Sequence, residues 1–295
     1  MSNTLLDPRD LAGVTADLAK ADFGLAGLVY TEASIGFAPG QGSTVNIAVP
    51  GSTSASERAL GVTTDYTVDG VVEQTFPISV DAEAYSTVSL SLSESTLDLE
   101  NYTRQILAPQ ARAVAGKIEG KVAALLDGMA TEASITYDSA NPKAALVKAR
   151  AMLRANQVPG EIVVVAGSTA YADLLLSGDD VDTSAAVPKV AGMTIVENNR
   201  VAPTALVVMV RAAIGLAIVA PEPLDETNSA AHRTADGGFA VRVLRGTNPA
   251  NGQSLSTVST FVGAALLPIP KHDAETGETV LTDGIGAVAI NTTGA

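Results

Sequence analysis

The chain contains no cysteine and no tryptophan. Without cysteine there is no disulfide, no thiolate nucleophile and no cysteine-ligated zinc, a composition that suits assembly in a reducing cytoplasm. Aromatic residues are only 4% of the 295. Ala, Val, Leu and Ile must therefore do most of the packing, which favours broad, flat contacts over an aromatic-walled ligand cage. Basic residues are scarce too: 18 Lys and Arg stand against 32 Asp and Glu, a net charge of −14. Non-specific nucleic-acid binding needs clustered Lys and Arg to neutralise phosphates, and this balance argues against it. It is compatible with a container whose acidic wall lets DNA slide without sticking. No apolar run reaches the roughly 18 to 20 residues of a membrane span. The longest, 201–210 and 212–220, are interrupted by Pro203 and Arg211. Residues 1–10 carry Asp7 and Asp10 but no basic stretch ahead of an apolar one, so no secretory signal and no membrane association are expected.

What is present is apolar. Hydrophobic residues make up 46% of the chain and charged ones 17%, and the mean hydropathy is +0.26. That is enough to bury one or two sizeable cores. The surplus apolar surface points to an interface.

The pattern changes period along the chain. Asp7 and Pro8 open a short helix with Leu11, Val14 and Leu18 on one face. From Gly36 to about Leu92 the period is two: Val45, Ile47 and Val49, then Val72, Phe76, Ile78 and Val80, then Val88, Leu90 and Leu92. Gly51–Ala55 and Asp69-Gly70 supply turns. A long β-hairpin with little core of its own is expected, in need of a neighbour to lie on. The strongest helix follows over 97–129. Leu107, Ala111, Val114, Ile118, Val122, Leu125 and Met129 form one apolar face. Pro109 is expected to kink or restart it, and Gly116 and Gly120 each weaken it by roughly 1 kcal/mol relative to Ala. An alternation of helices and strands comes next. Asn141-Pro142 opens a helix over 143–156, residues 161–166 form a buried strand, and Ser168 caps a helix to Leu176. Residues 178–189 read as a loop. Strands at 193–197, 206–210 and 214–219 complete an α/β unit. After a polar stretch, 221–236, strands at 239–244 and 255–268 close a sheet near the long helix. Residues 284–295 read as a small, polar tail.

Signatures of catalysis are sparse, and no catalytic, cofactor-binding or metal residue is assigned. His232 and His272 fall in polar, loop-like segments without metal-ligand spacing. Gly40-Gln41-Gly42-Ser43 lacks the Gly-Lys-Ser/Thr of a phosphate loop. Ser168 stands at a strand-to-helix turn without the Gly-x-Ser-x-Gly frame of a hydrolase, so an N-cap is its simpler role. Asp179, Asp180 and Asp182 lack the glycine and terminal glutamate of an EF-hand loop, and a solvated face is their simpler role.

Three segments carry a resemblance. Gly42-Ser43-Thr44-Val45-Asn46-Ile47 ahead of Pro50, the run Asp98-Leu99-Glu100-Asn101-Tyr102 through Pro109 to Ala115, and Gly192-Met193-Thr194-Ile195-Val196-Glu197-Asn198-Asn199 resemble the coat-protein branch of short-tailed phages. The order of elements over most of the chain is similar to the major capsid protein fold of tailed bacteriophages, shared with encapsulins and the herpesvirus capsid floor. The resemblance implies an α+β fold with an N-arm (1–35), an extended β-hairpin E-loop (36–84), a P-domain (85–140) with its spine helix (97–129), an α/β A-domain (141–221), and return strands with a C-terminal tail (222–295). It implies a structural, non-enzymatic chain that assembles with itself into hexamers and pentamers of an icosahedral shell. The shell encloses double-stranded DNA without sequence-specific binding and resides in the virion. Scaffolding, portal and cementing proteins are expected to be separate. Glu57 and Arg58, the charged pair of the E-loop, are candidates for contact between subunits, as are Arg104 and Arg112. Some members of the family lock the shell with an isopeptide bond from an E-loop lysine; here no lysine occurs from Ala21 through Gly116, so non-covalent closure is expected. An encapsulin-like compartment is the nearest alternative. A hydrolase built on Ser168 and a β-rich tail or tube protein are more distant ones.

Overall fold

A computed structural model describes residues 7–37, 42–49, 57–61, 63, 65–66, 68, 74–90, 102–130, 135–138, 141–176, 181–182, 188–225, 227–248, 253–272 and 279–291. Helix α1 (Pro8–Ala21) starts where the Asp7 side chain accepts the Arg9 N–H at 2.9 Å and Pro8 occupies the first turn, the arrangement that satisfies an otherwise orphaned amide. Strands β1 (Tyr30–Ile35), β2 (Thr44–Val49), β3 (Gln74–Ser79) and β4 (Ala82–Leu90) follow. The long helix has a π turn over Thr103–Leu107 and continues as α2 (Ala108–Ala130). Then come β5 (Ile135–Thr136), α3 (Pro142–Ala155), β6 (Ile162–Ala166), α4 (Ser168–Leu176), β7 (Val181–Asp182), β8 (Lys189–Val190), β9 (Met193–Glu197), β10 (Leu206–Val210) and β11 (Ile214–Ala220). The chain closes with β12 (Ser229–Arg233), β13 (Ala240–Thr247), β14 (Ser254–Leu266), β15 (Ile269–His272), β16 (Thr279–Thr282) and β17 (Ala287–Asn291).

Two sheets organise these elements. The first runs β1-β11-β14-β13-β12, with β4 also paired to β14. The thirteen-residue β14 serves three partners: β4 along 254–262, β13 along 254–259 and β11 along 261–266. The second sheet runs β5-β17-β10-β6-β9-β8-β7. Helix α2 lies against β4 and β14 of the first sheet and against β10 and β17 of the second. One continuous apolar cluster consequently spans both sheets. The hairpin of β2 and β3 forms a separate two-stranded sheet.

The structure redraws several expectations. Over residues 7–35 the segment expected as an arm is built into the body. Leu11, Ala12, Ala16 and Ala19 of α1 are fully buried against the first sheet and α2, and β1 pairs in parallel with β11. An amphipathic helix beside an apolar sheet face lowers its free energy by burying that stripe. The strand at 214–220 belongs to the first sheet, not to the α/β unit. Every residue of β10 and β11 is buried, so each needs partners on both edges, and the 3₁₀ turn Arg211–Ala213 carries the chain from one sheet to the next. The expected polar tail contains β17, inserted between β10 and β5; its Ala287, Ala289 and Ile290 fill a buried site. Residues 178–189 include two short strands, β7 and β8, paired to each other. His232 lies on strand β12, half-buried, with its ring facing Gly13 of α1, and His272 ends β15. The hairpin base also has more core than alternation suggested: Ile47, Ile78 and Val80 bury against Ala217 and Val219 of β11 and against Leu267. Leu92, the turn residues 51–55 and 69–70, Val72, the helix opening 98–101, Gly40, Gln41, Asp179 and Asp180 lie outside the described residues.

Pro109 neither breaks nor restarts the long helix. Proline lacks an N–H and crowds the carbonyl four residues back. Here the wide turn just before it, with the Ala108 N–H donating to the Thr103 carbonyl, accommodates the ring at an exposed position. The apolar stripe also drifts. Leu126 is fully buried, while Leu125 and Met129 are only half-buried, because 3.6 residues per turn do not keep a repeat of three and four in line.

Candidate assembly surfaces

The hairpin excursion beyond β2 and β3 carries the two most exposed large apolar side chains of the described residues, Leu60 and Val68, and an exposed Tyr66. Leu60 is fully open to solvent, and Val68 and Tyr66 are 90% and 77% exposed. Exposed apolar side chains of this kind are candidates for a contact surface. Of the charged pair expected here, Arg58 donates to the Tyr66 hydroxyl at 3.0 Å and sets its guanidinium 4.2 Å from the ring centroid. A cation over an aromatic face stiffens the excursion. Glu57 is exposed beside it.

At the root of the hairpin lies an apolar cleft of about 220 Å³, lined by Tyr30, Ile47, Ala48, Pro159, Ala212 and the segment Leu267–Pro270. It sits where the hairpin meets the first sheet.

The two arginines expected on the long helix have separate fates. Arg112 is exposed but donates through Nε to Asp22 at 2.9 Å within its own chain. Arg104 is exposed on the π turn and has no ion-pair partner among the described residues. The structure brings Glu57 and Arg58 together on the excursion and leaves Arg104 and Arg112 apart from them, on the helix layer.

Three buried polar side chains, Glu119, Gln110 and Ser256, hold the long helix in place. Glu119, only 3% exposed, accepts the Gly24 N–H at 2.5 Å and the Ala26 N–H at 3.2 Å through Oε1, while its Oε2 stands 3.3 Å from Arg200 Nε. Three separate segments thus meet at one carboxylate. Gly116 makes room: a Cβ there would stand 3.1 Å from an Arg200 nitrogen. Farther along, the Gln110 side-chain amide donates to the Ser86 and Ser256 carbonyls, each at 2.9 Å. The Ser256 hydroxyl donates to Gln110 Oε1, and the Tyr102 hydroxyl donates to Ser256 Oγ, each at 3.0 Å. A closed buried network of this kind fixes one packing geometry. Periodicity did not single these residues out. The available signal was a glutamate four residues after Ala115 and three before Val122, on the apolar face, where an ionised group persists only if paired.

The Ser168 turn is structural. Ser168 is the first residue of α4 and not its cap; the Thr169 and Ala170 N–H groups donate to the Pro203 carbonyl, and Gly167 N–H to that of Ala205. A Cβ on Gly167 would stand 2.0 Å from the Ala202 carbonyl oxygen, so the turn admits only glycine. Both histidines lie on strands of other sheets. Elsewhere, Lys20 pairs with Asp236, and that bond, with those from Thr234 and the Gly238 N–H, holds the Asp236 carboxyl well below the usual range. Burial, with the charges of Asp173 and Asp138 adding to it, pushes the Tyr137 hydroxyl up to about 12.

No protein-family model and no curated protein matches the chain. Solved structures do. The capsid structure of the cyanophage P-SCSP1u superposes with a TM-score of 0.53 at 14% identity, over 90% of this chain and 86% of that one. The capsid of a native GTA particle gives 0.52 at 12% identity, over 99% and 92%. The capsid of Ralstonia phage GP4 gives 0.51 at 12% identity, over 90% and 87%.

Proposed function

We propose that this chain, which has the α+β fold of phage capsid proteins, is the subunit of a self-assembling shell and resides in the virion. The observation that carries the reading is the extent of the likeness, which takes in nearly the whole of this chain and of its structural neighbours. A shared fold alone does not dictate function. The apolar excursion left open in a single copy supplies independent support.

In this reading the hairpin excursion is the E-loop, the long helix the spine helix, and the second sheet with α3 and α4 the A-domain. The subunits gather into hexamers and pentamers, and the shell encloses double-stranded DNA without reading its sequence. Glu57, Arg58 and Arg104 are contacts to neighbouring subunits, each worth about 0 to 1 kcal/mol as a surface pair and multiplied by symmetry. Arg112 contributes less, since Asp22 already occupies it. Scaffolding, portal and cementing functions belong to other chains. Catalysis has no part in the role.

Electron microscopy of the purified protein tests this directly. Closed particles tens of nanometres across are expected, with DNA inside those recovered from the native source; a monodisperse monomer under every salt and scaffold condition would sink the reading. Because no lysine lies between Ala21 and Gly116, boiling assembled shells in detergent is expected to give one band near 29.9 kDa with no ladder of cross-linked species.

A further inference from the structure

The two fourteen-residue helices α1 and α3 bear complementary outer faces. Helix α3 contains Lys143, Lys148, Arg150 and Arg154 and no acidic residue, in a chain whose net charge is −14. Its solvent side exposes Val147 at 43%. At 3.6 residues per turn, Lys143 and Arg154 flank Val147 on one side and Lys148 flanks it on the other. Arg150 and Arg154 are oriented by backbone carbonyls, of Ala191 and of Val158 and Gly160, which leaves their charges uncompensated. Lys148 is exposed and has no partner among the described residues.

Helix α1 presents the opposite. Asp10, Val14, Asp17 and Ala21 lie in one exposed stripe at spacings of four, three and four, so that the 39%-exposed Val14 has a carboxylate on either side. Neither Asp10 nor Asp17 has a partner among the described residues. The positive charges of α1 stand about a quarter-turn away round the helix, and Lys20 is taken by Asp236. Among the described helices, only α1 sets two exposed carboxylates on one stripe.

We infer that α1 of one copy docks on α3 of a second copy, with Val14 against Val147 and Asp10 and Asp17 against the lysines of α3. The contact joins unlike patches, so it propagates from copy to copy and closes only where the rotation between copies allows a ring. It rests on the shell reading, for which it supplies a particular contact. Opposite potentials speed and orient such an encounter, and like charges oppose it.

A charge exchange tests the contact. Three full-length variants are compared with the parent by light scattering and electron microscopy: Asp10→Lys with Asp17→Lys, Lys143→Glu with Lys148→Glu, and all four together. Each two-residue reversal is expected to raise the concentration needed for assembly by about tenfold or more, and the fourfold exchange to restore it, since charge pairs across an interface couple. Rescue in the fourfold variant excludes misfolding as the cause of loss. Reversals that assemble like the parent, or a fourfold variant no better than its halves, overturn the contact and leave the shell reading standing. Normal shells that carry less nucleic acid when α3 is reversed would assign α3 to the cargo and also overturn it. A parent that never assembles overturns both.

Discussion

Single side chains decide how firmly the long helix is held. Glu119 satisfies two backbone amides from the N-terminal segment and pairs with Arg200, so Glu119→Ala strands two donors in a buried site. A loss of about 3 kcal/mol is expected, read as a lower urea midpoint on unassembled protein. Arg200→Ala costs less, about 1 kcal/mol, because that side chain is 40% exposed and water replaces much of the lost pairing. Tyr137 makes the opposite case. Its hydroxyl is buried beside Asp173 without a well-formed hydrogen bond among the described residues, so Tyr137→Phe is expected to change stability by no more than about 1 kcal/mol at neutral pH. The folded-state value near 12 lies above the ordinary 10.0. The unfolded chain therefore releases this proton first as pH rises, and stability that is complete below pH 10 is lost between 10 and 12. Thermal melts over that range are expected to fall more steeply for the parent than for Tyr137→Phe.

At the scale of elements, glycine positions separate packing from propensity. Gly120 of α2 faces open space, so Gly120→Ala is expected to stabilise by about 1 kcal/mol. Gly116→Ala gains the same propensity and loses it by displacing Arg200. In β14, a Cβ on Gly263 would stand 2.1 Å from the Ser79 carbonyl oxygen, and neither backbone can yield without lifting the hairpin root from the sheet. Gly263→Ala is expected to cost about 2 to 3 kcal/mol in the same urea titration. The helices were legible because their signals are local. Asp7-Pro8 and Asn141-Pro142 cap α1 and α3 where expected, and the apolar repeat from Leu107 to Val122 is buried as read. Sheet membership was not legible. Strands β10 and β11 are equally apolar and only three residues apart, and nothing in either says that one pairs with β6 and β17 while the other pairs with β1 and β14. Those partners lie far away in sequence. The short alternation of β17 was hidden for the same reason, its small residues reading as a tail until a neighbour on each edge gives them a place. The candidate contacts divided in the same way. Glu57 and Arg58 could be named as a charged pair on an apolar excursion, whereas the Glu119 junction depends on three segments brought together by the fold.

For the whole molecule, the exposed excursion predicts a separation of folding from assembly. Leu60→Asp with Tyr66→Ser touches no core residue, so the melting temperature of the unassembled chain is expected to be unchanged while particles disappear from micrographs. Shells formed as readily as by the parent would remove the excursion from the set of contacts. One more property follows from the way the two sheets are joined. The backbone passes from β10 through three residues of 3₁₀ turn into β11, a central strand in each sheet, and α2 lies alongside both. A force pulling the sheets apart would therefore run along covalent bonds from one sheet into the other. In the proposed shell, a wall made of such units would carry tension like a woven cord, through its threads and not across its seams.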